Sequence, residues 1–180
     1  MSNNIEHLLE FINQEADLID SIYKKSTNHR KSSQRLVLEN GLPFLKRITP
    51  SPFRGEPKSC YQNCTSALWE YPKLSYCEGF AISDDLPIAI SHAWLVDVKS
   101  QVIDPTWNED APKSTYFGVV FTEDFVKEIA TKTKHYGILD NHFVNRYLLL
   151  QDGFPKGALH PKFHFNQMSL DKRKSFPKPL

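Results

Sequence analysis

Apolar and polar residues alternate over 74–82, 88–98 and 101–104, with a Lys99-Ser100-Gln101 turn joining the last two runs, and the alternation returns over Tyr116–Phe121. A period of two marks strands with one buried face, and a turn this short joins antiparallel neighbours. The block therefore restricts the chain to folds organised around a small antiparallel sheet.

Helical patterns flank the sheet. Ile5, Leu8, Leu9, Ile12, Ala16, Ile19 and Ile22 recur at helical spacing. They predict a helix over 3–24, capped by Ser2 or Asn3, that packs across the back of the domain. Residues 25–35 are polar and basic and read as a loop. Residues 36–49 are ambiguous, with Asn40-Gly41 as a turn between two short apolar runs. Pro50, Pro52 and Pro57, with Gly55 among them, exclude helix just ahead of Cys60. A new helix is predicted to begin at Ser59 or Cys60 and to run through Leu68 and Trp69 toward Pro72. Thr122 is placed to cap a helix over 123–134, with Glu123 and Asp124 in its first turn. A last helix over 141–151 carries Phe143, Val144, Tyr147 and Leu148 on one side. Helices, then a helix opened by a cysteine, then a meander, then helices again make an α+β plan.

The chain has 180 residues, enough for one domain over 1–153 followed by an arm over 154–180. Its net charge of +1 argues against a whole-surface nucleic-acid binder. The charge is uneven, however. The arm holds Lys156, Lys162, Lys172, Arg173, Lys174 and Lys178 against Asp171, so the remainder is net negative. Such an arm reads as a solvated tail or as a site for an acidic partner. Its His160, Phe163, His164 and Phe165 mix basic and aromatic groups as single-strand binders do, but the run is short, and nucleic acid is not expected as a partner.

No apolar run reaches membrane-spanning length, and no basic patch precedes an apolar run at the start, so neither membrane insertion nor export is expected. Three cysteines, an odd number without an export signal, point to free thiols in a reducing compartment, the cytoplasm of the producing or of a target cell.

Three short strings carry chemistry: Cys60-Tyr-Gln-Asn-Cys64, His92-Ala-Trp94 and Asp104-Pro-Thr106. A thiol becomes a useful nucleophile beside a positioned imidazole, and the imidazole needs a third group to fix its tautomer and orientation. Cys60 stands where a Pro/Gly-rich loop turns into a helix. The unpaired N–H groups and positive dipole end there favour a thiolate and can hold an oxyanion. His92 lies in one strand and Asp104 closes the next. The turn at 99–101 would make them cross-strand or diagonal neighbours. Cys64, one helical turn beyond Cys60, and Cys77, alternating with Tyr76 and Glu78, read as core. Cys60, Cys64, Cys77 and His92 could supply four soft metal ligands, but they lack the paired Cys-x-x-Cys knuckles of a zinc site, and no metal is expected. The scattered glycines form no phosphate-cradling loop, and no cofactor is expected.

Tyr76-Cys-Glu-Gly79-Phe80, His92-Ala-Trp-Leu-Val-Asp97 and Val102-Ile-Asp104-Pro-Thr106-Trp107 together resemble the core of the transglutaminase-like superfamily, which belongs with the papain-like cysteine enzymes. The resemblance covers residues 58–107. It implies a nucleophile helix packed on a small antiparallel sheet, with Cys60 as nucleophile, His92 as general base and acid, and Asp104 as orienter. It also implies a protein or peptide substrate and acyl transfer on an amide or isopeptide bond, as peptidase, glutamine deamidase or transglutaminase. Residues 50–59 hold neither the tryptophan nor the glutamine that such enzymes place ahead of the cysteine. Gln62 and Asn63 follow the cysteine, Trp69 lies far along the helix, and Tyr61 is the candidate left. Tyr61, Trp94 and Trp107 are the candidate substrate-binding residues, although Trp94 and Trp107 read first as packing residues that could also wall a groove. The rival expectation is a fold of this kind kept as a non-catalytic binding module.

Overall fold

The fold comes from a computed structural model, and the residues described are 2–25, 30–83, 86–107, 114–139 and 146–163. Helices and strands are mixed in an α+β arrangement around one curled antiparallel sheet. In chain order the elements are α1 (Ser2–Tyr23), α2 (Ser33–Asn40), β1 (Leu42–Phe44), α3 (Cys60–Glu70), β2 (Ser75–Ser83), β3 (Leu86–Val96), β4 (Val102–Ile103), β5 (Ser114–Val120), α4 (Glu123–Thr133) and α5 (Leu148–Asp152). The spatial strand order is β1-β5-β2-β3-β4. Among the described residues no helix is long and apolar enough to cross a membrane.

The alternation read from sequence sorts side chains to the two sheet faces. Tyr76, Phe80, Ala93, Leu95, Phe117 and Val119 face one way and meet Leu8 and Ile12 of α1, Leu36 of α2, and Cys64 and Leu68 of α3. Cys77, Ala81, Trp94, Val96, Tyr116 and Val120 face the other way, with Leu42 and Phe44 of β1. This second face is wrapped by the curl of the sheet itself. Just after β1 the chain returns to β4: Val102 N–H donates to Lys46 O, Ile48 N–H donates to Val102 O, and Arg47 bridges Val102 in parallel. The two edges of the sheet are thereby tied together, which leaves neither open along that stretch.

Glycine sets how closely the second face packs. Gly79 pairs with both His92 and Gly118, and a Cβ at Gly118 would lie 2.5 Å from Trp94 Cη2 and 2.8 Å from Glu78 O. The indole of Trp94 occupies the space that a side chain at 118 would fill.

Several expectations need correction. The loop expected over 25–35 gives way to α2 at Ser33. Ser32 Oγ accepts the N–H of Arg35, and the Ser32 N–H donates to Asp20 of α1, so a helical start is fixed by a contact twelve residues away. Asn40-Gly41 is no separate turn: Asn40 ends α2, and Gly41, in extended backbone, leads straight into β1. Thr122 stands at the start of α4 without capping it; its hydroxyl donates to Gly157 O instead. The helix expected over 141–151 does not run through its middle. Arg146 and Tyr147 adopt φ of 53° and 62°, a left-handed backbone that ends a right-handed helix, and α5 begins only at Leu148. Residues 141–145 lie outside the described residues, as do the side chains of Ser2 and Asn3.

The arm expected over 154–180 is packed on the domain for its first ten residues. Phe154 stands edge-on to Phe121, Leu159 bridges Phe121, Ala158 and Phe163 are buried, and the His160 N–H donates to Val120 O. Aromatic burial outweighs the local polarity there. Residues 164–180, including His164 and Phe165, lie outside the described residues.

Gly118→Ala is expected to lower folding stability by about 1–3 kcal/mol through overpacking against the Trp94 indole. Urea denaturation reads this as a lower midpoint. An unchanged midpoint would show that the indole does not rest on Gly118.

Candidate functional site

The site begins with the turn between β3 and β4. Asp97 Oδ1 accepts the N–H groups of Lys99 and Gln101, and Ser100 takes φ of 63°. This fixes the register at Leu95 opposite Ile103 and Val96 opposite Val102. β4 ends there, at the Asp104-Pro105 step, so β3 runs on past it and His92 lies beside the residue that leaves β4.

Asp104 is wholly buried, and both of its carboxylate oxygens are occupied. Oδ1 accepts the N–H groups of Thr106 (2.9 Å) and Trp107 (3.0 Å). Oδ2 accepts the Tyr116 hydroxyl (3.0 Å) and meets His92 Nε2 at 2.8 Å. Burial alone would push this carboxyl up, but the charge and hydrogen bond of His92, with the two backbone N–H groups, hold it at about 2. For His92, burial pulls downward, yet the charge and hydrogen bond of Asp104, aided by Cys60, raise it to about 9. Burial and then the Asp104 charge push the Tyr116 phenol up, which keeps it a neutral donor.

The His92 ring is held from its flat side too. Trp107 stacks on it with centroids 4.6 Å apart and planes 24° apart, while Trp94 and Tyr116 lie at 6.3 and 6.2 Å. With Nε2 engaged by Asp104, Nδ1 is the nitrogen left for a thiol. Cys60, the first residue of α3, lies close enough to the imidazole to help hold its proton. The three residues singled out from sequence are thus brought together. Cys60 is 8 % exposed.

A latch ties the cysteine helix to the aspartate loop. Asn63 Oδ1 accepts the Glu56 N–H, and its Nδ2 donates to Glu56 O (2.8 Å) and to Thr106 Oγ1 (2.9 Å). The Gly55 N–H donates to Pro105 O. A Cβ at Gly55 would fall 2.2 Å from Asn63 Cγ, so the amide needs glycine beneath it. Arg47 Nη2 (2.9 Å) and Arg54 Nη1 (2.6 Å) both donate to Trp107 O.

The other candidates fall in different places. Cys64 and Cys77 are wholly buried free thiols, pushed up chiefly by burial. Trp94 is wholly buried against Phe44 and Tyr116 and has no surface to offer a substrate. Trp107 is partly exposed and sits on the imidazole. Tyr61 lines a cavity of about 120 Å³ with Ser33, Glu78, Gly79, Phe80, Ser91 and Leu139. Among the described residues no group of acidic, histidine and cysteine side chains is arranged to hold a metal.

Sequence reasoning missed Tyr116, Asn63, Arg47, Arg54 and Glu78. The last is buried, and it accepts the Tyr76 hydroxyl and the N–H groups of Ile138 and Leu139. Glu78 could have been noticed as a charge at the inward parity shared by Tyr76 and Phe80; the others announce themselves only through contacts distant in sequence. Compared with models of protein families, with curated proteins and with solved structures, the chain matches none.

Because His92 sits above the 6.5 of a free imidazole, its proton is bound more tightly in the folded chain; that stabilisation is complete below pH 6.5 and is lost as pH rises through 9. The Asp104 contribution is complete above pH 3.8 and is lost as pH falls through 2. Urea unfolding of the wild type is therefore expected to show stability falling between pH 6.5 and 9, and His92→Gln is expected to flatten that fall. The same slope in both proteins would contradict a raised imidazole.

Proposed function

We propose that this chain is a cysteine-dependent acyl-transfer enzyme with a papain-like, transglutaminase-like core, acting on an amide or isopeptide bond of a protein or peptide. The observation that carries the reading is the buried His92–Asp104 pair, 2.8 Å apart, standing at the start of the helix that Cys60 opens. A carboxylate held at about 2 beside an imidazole held at about 9 keeps the ring protonated and oriented at neutral pH, which suits a thiolate partner. Tyr116, Thr106 and Trp107 support the aspartate, and Trp107 shields the ring.

In this scheme Cys60 Sγ attacks the substrate carbonyl, and the N–H groups at the start of α3 take the oxyanion. As the C–N bond breaks, His92 passes its proton to the leaving amine, or to ammonia in a deamidation, and a thioester remains on Cys60. His92 then draws a proton from water, the hydroxide attacks the thioester, and the Cys60 thiolate leaves. An amine in place of water would make the same chemistry a crosslinking reaction. Hydrolysis is favoured because water is always at hand. Three free thiols fit work in a reducing compartment such as the cytoplasm.

One observation favours the rival reading of a binding module. Cys60 is 8 % exposed, and the cavity of about 120 Å³ is lined by Tyr61 rather than by Cys60 itself. The two readings part on reactivity. A glutamine- or peptide-based electrophile is expected to leave one adduct on the wild type by intact mass, none on Cys60→Ala, and far less on His92→Ala. Asp104→Asn is expected to slow adduct formation by about 10²–10⁴-fold, as loss of an orienting carboxylate does in other triads. An adduct that persists in Cys60→Ala, or none at all, would favour the binding module.

A further inference from the structure

Residues 46–58 carry Lys46, Arg47, Arg54 and Lys58 against one acid, Glu56. The fold folds this stretch around the loop that holds Asp104, and it points two guanidiniums at a single backbone carbonyl, that of Trp107. Among the described residues neither Arg47 nor Arg54 has a carboxylate within 4.0 Å, whereas Arg35 has two. Arg47 Nε is buried with no partner. Each guanidinium offers five N–H donors, so among the described residues one shared carbonyl engages only a few of them.

Two like charges at one acceptor repel each other, and a carbonyl dipole offsets this only in part. A carboxylate offsets more of it, because it brings a full negative charge and its two oxygens match the planar fork of an arginine. The place matters as much as the charge. Trp107, whose carbonyl collects the two arginines, stacks its ring on His92, and Arg54 lies six positions ahead of Cys60 in the loop that Gly55 and Asn63 pin to Pro105 and Thr106. The positive charge is therefore gathered on the residue that stacks on His92.

We infer that Arg47 and Arg54 form a carboxylate-recognising subsite beside Cys60, and that the substrate carries an acidic side chain next to the bond attacked. The inference rests on Cys60 being a reactive nucleophile, and it adds the substrate's charge class to that reading. Arg54, exposed, meets the substrate; Arg47, partly buried, supplies the second charge and holds the Trp107 carbonyl.

Iodoacetate and iodoacetamide test it, since they place the same carbon on sulfur and differ in charge. Alkylation of Cys60 in the full chain at neutral pH, followed by intact mass, gives the ratio of the two rates, referred to the ratio for 2-mercaptoethanol. The wild-type ratio is expected to exceed the reference severalfold. Arg54→Gln and Arg47→Gln are each expected to lower it roughly threefold, the scale of one unit charge at the rim of a solvated site. Arg54→Lys keeps the charge and is expected to keep most of the preference, which separates charge from disturbed folding. Salt at about 0.5 M is expected to erode the preference in the wild type.

A ratio that both neutral variants leave unchanged would overturn the subsite. Labelling by iodoacetamide with no preference for iodoacetate would sink this inference and leave the nucleophile standing. Silence of Cys60 toward both reagents would sink the nucleophile, and the subsite with it.

Discussion

A carboxylate sealed from water is tolerated only when its charge is met on every side, and Asp104 is such a group. Four donors meet it, from three parts of the fold: the imidazole on β3, the phenol of Tyr116 on β5, and the backbone N–H groups of Thr106 and Trp107 just beyond it. These demands set the surrounding geometry. β3 must run past the end of β4 so that His92 reaches the carboxylate. β5 must place Tyr116 on the same face of the sheet. The chain must turn sharply at Pro105 so that two successive N–H groups point back. Removing any one donor would leave buried negative charge incompletely met, a larger penalty than the loss of one neutral hydrogen bond.

What the aspartate fixes, the neighbouring loops relay to the cysteine. Trp107 owes its position to the turn around Asp104, and it passes that order to His92 by stacking. Thr106 receives Asn63 of α3, and Pro105 receives the Gly55 N–H, so the start of the cysteine helix is located from the aspartate loop and not only from the apolar packing of Cys64 and Leu68. A charged site is thereby built on rigid elements, and the irregular stretch 45–59 is pinned at Val102 and Pro105 and, through Asn63, at Thr106. The arginines at Trp107 O belong to the same construction: they steady the carbonyl of the residue that steadies the imidazole.

Much of this was legible in the residues because it depends on local rules. The apolar alternation gave β2, β3 and β5 to within two residues, the proline block placed the start of α3 at Ser59 or Cys60, and the short turn at 99–101 made His92 and Asp104 cross-strand or diagonal neighbours. What escaped was decided at a distance. α2 starts where it does because Asp20, on another helix, holds the Ser32 N–H. The hydroxyl of Thr122 answers to Gly157 rather than to its own helix. The left-handed pair Arg146 and Tyr147 has no glycine or asparagine to announce it. Tyr116 and Asn63 look like an ordinary strand aromatic and an ordinary helix polar residue until their partners twelve and 43 positions away are known.

The site depends on an imidazole that is charged at neutral pH because a buried carboxylate holds it. Long-range ¹H–¹⁵N spectra of the His92 ring, followed as a function of pH in the wild type and in Cys60→Ser, measure that state directly. The ring is expected to keep both protons through neutral pH, to titrate near 9 and to titrate lower once the Cys60 thiol is replaced. A ring that is already neutral at pH 7 and titrates at or below the 6.5 of a free imidazole would contradict it.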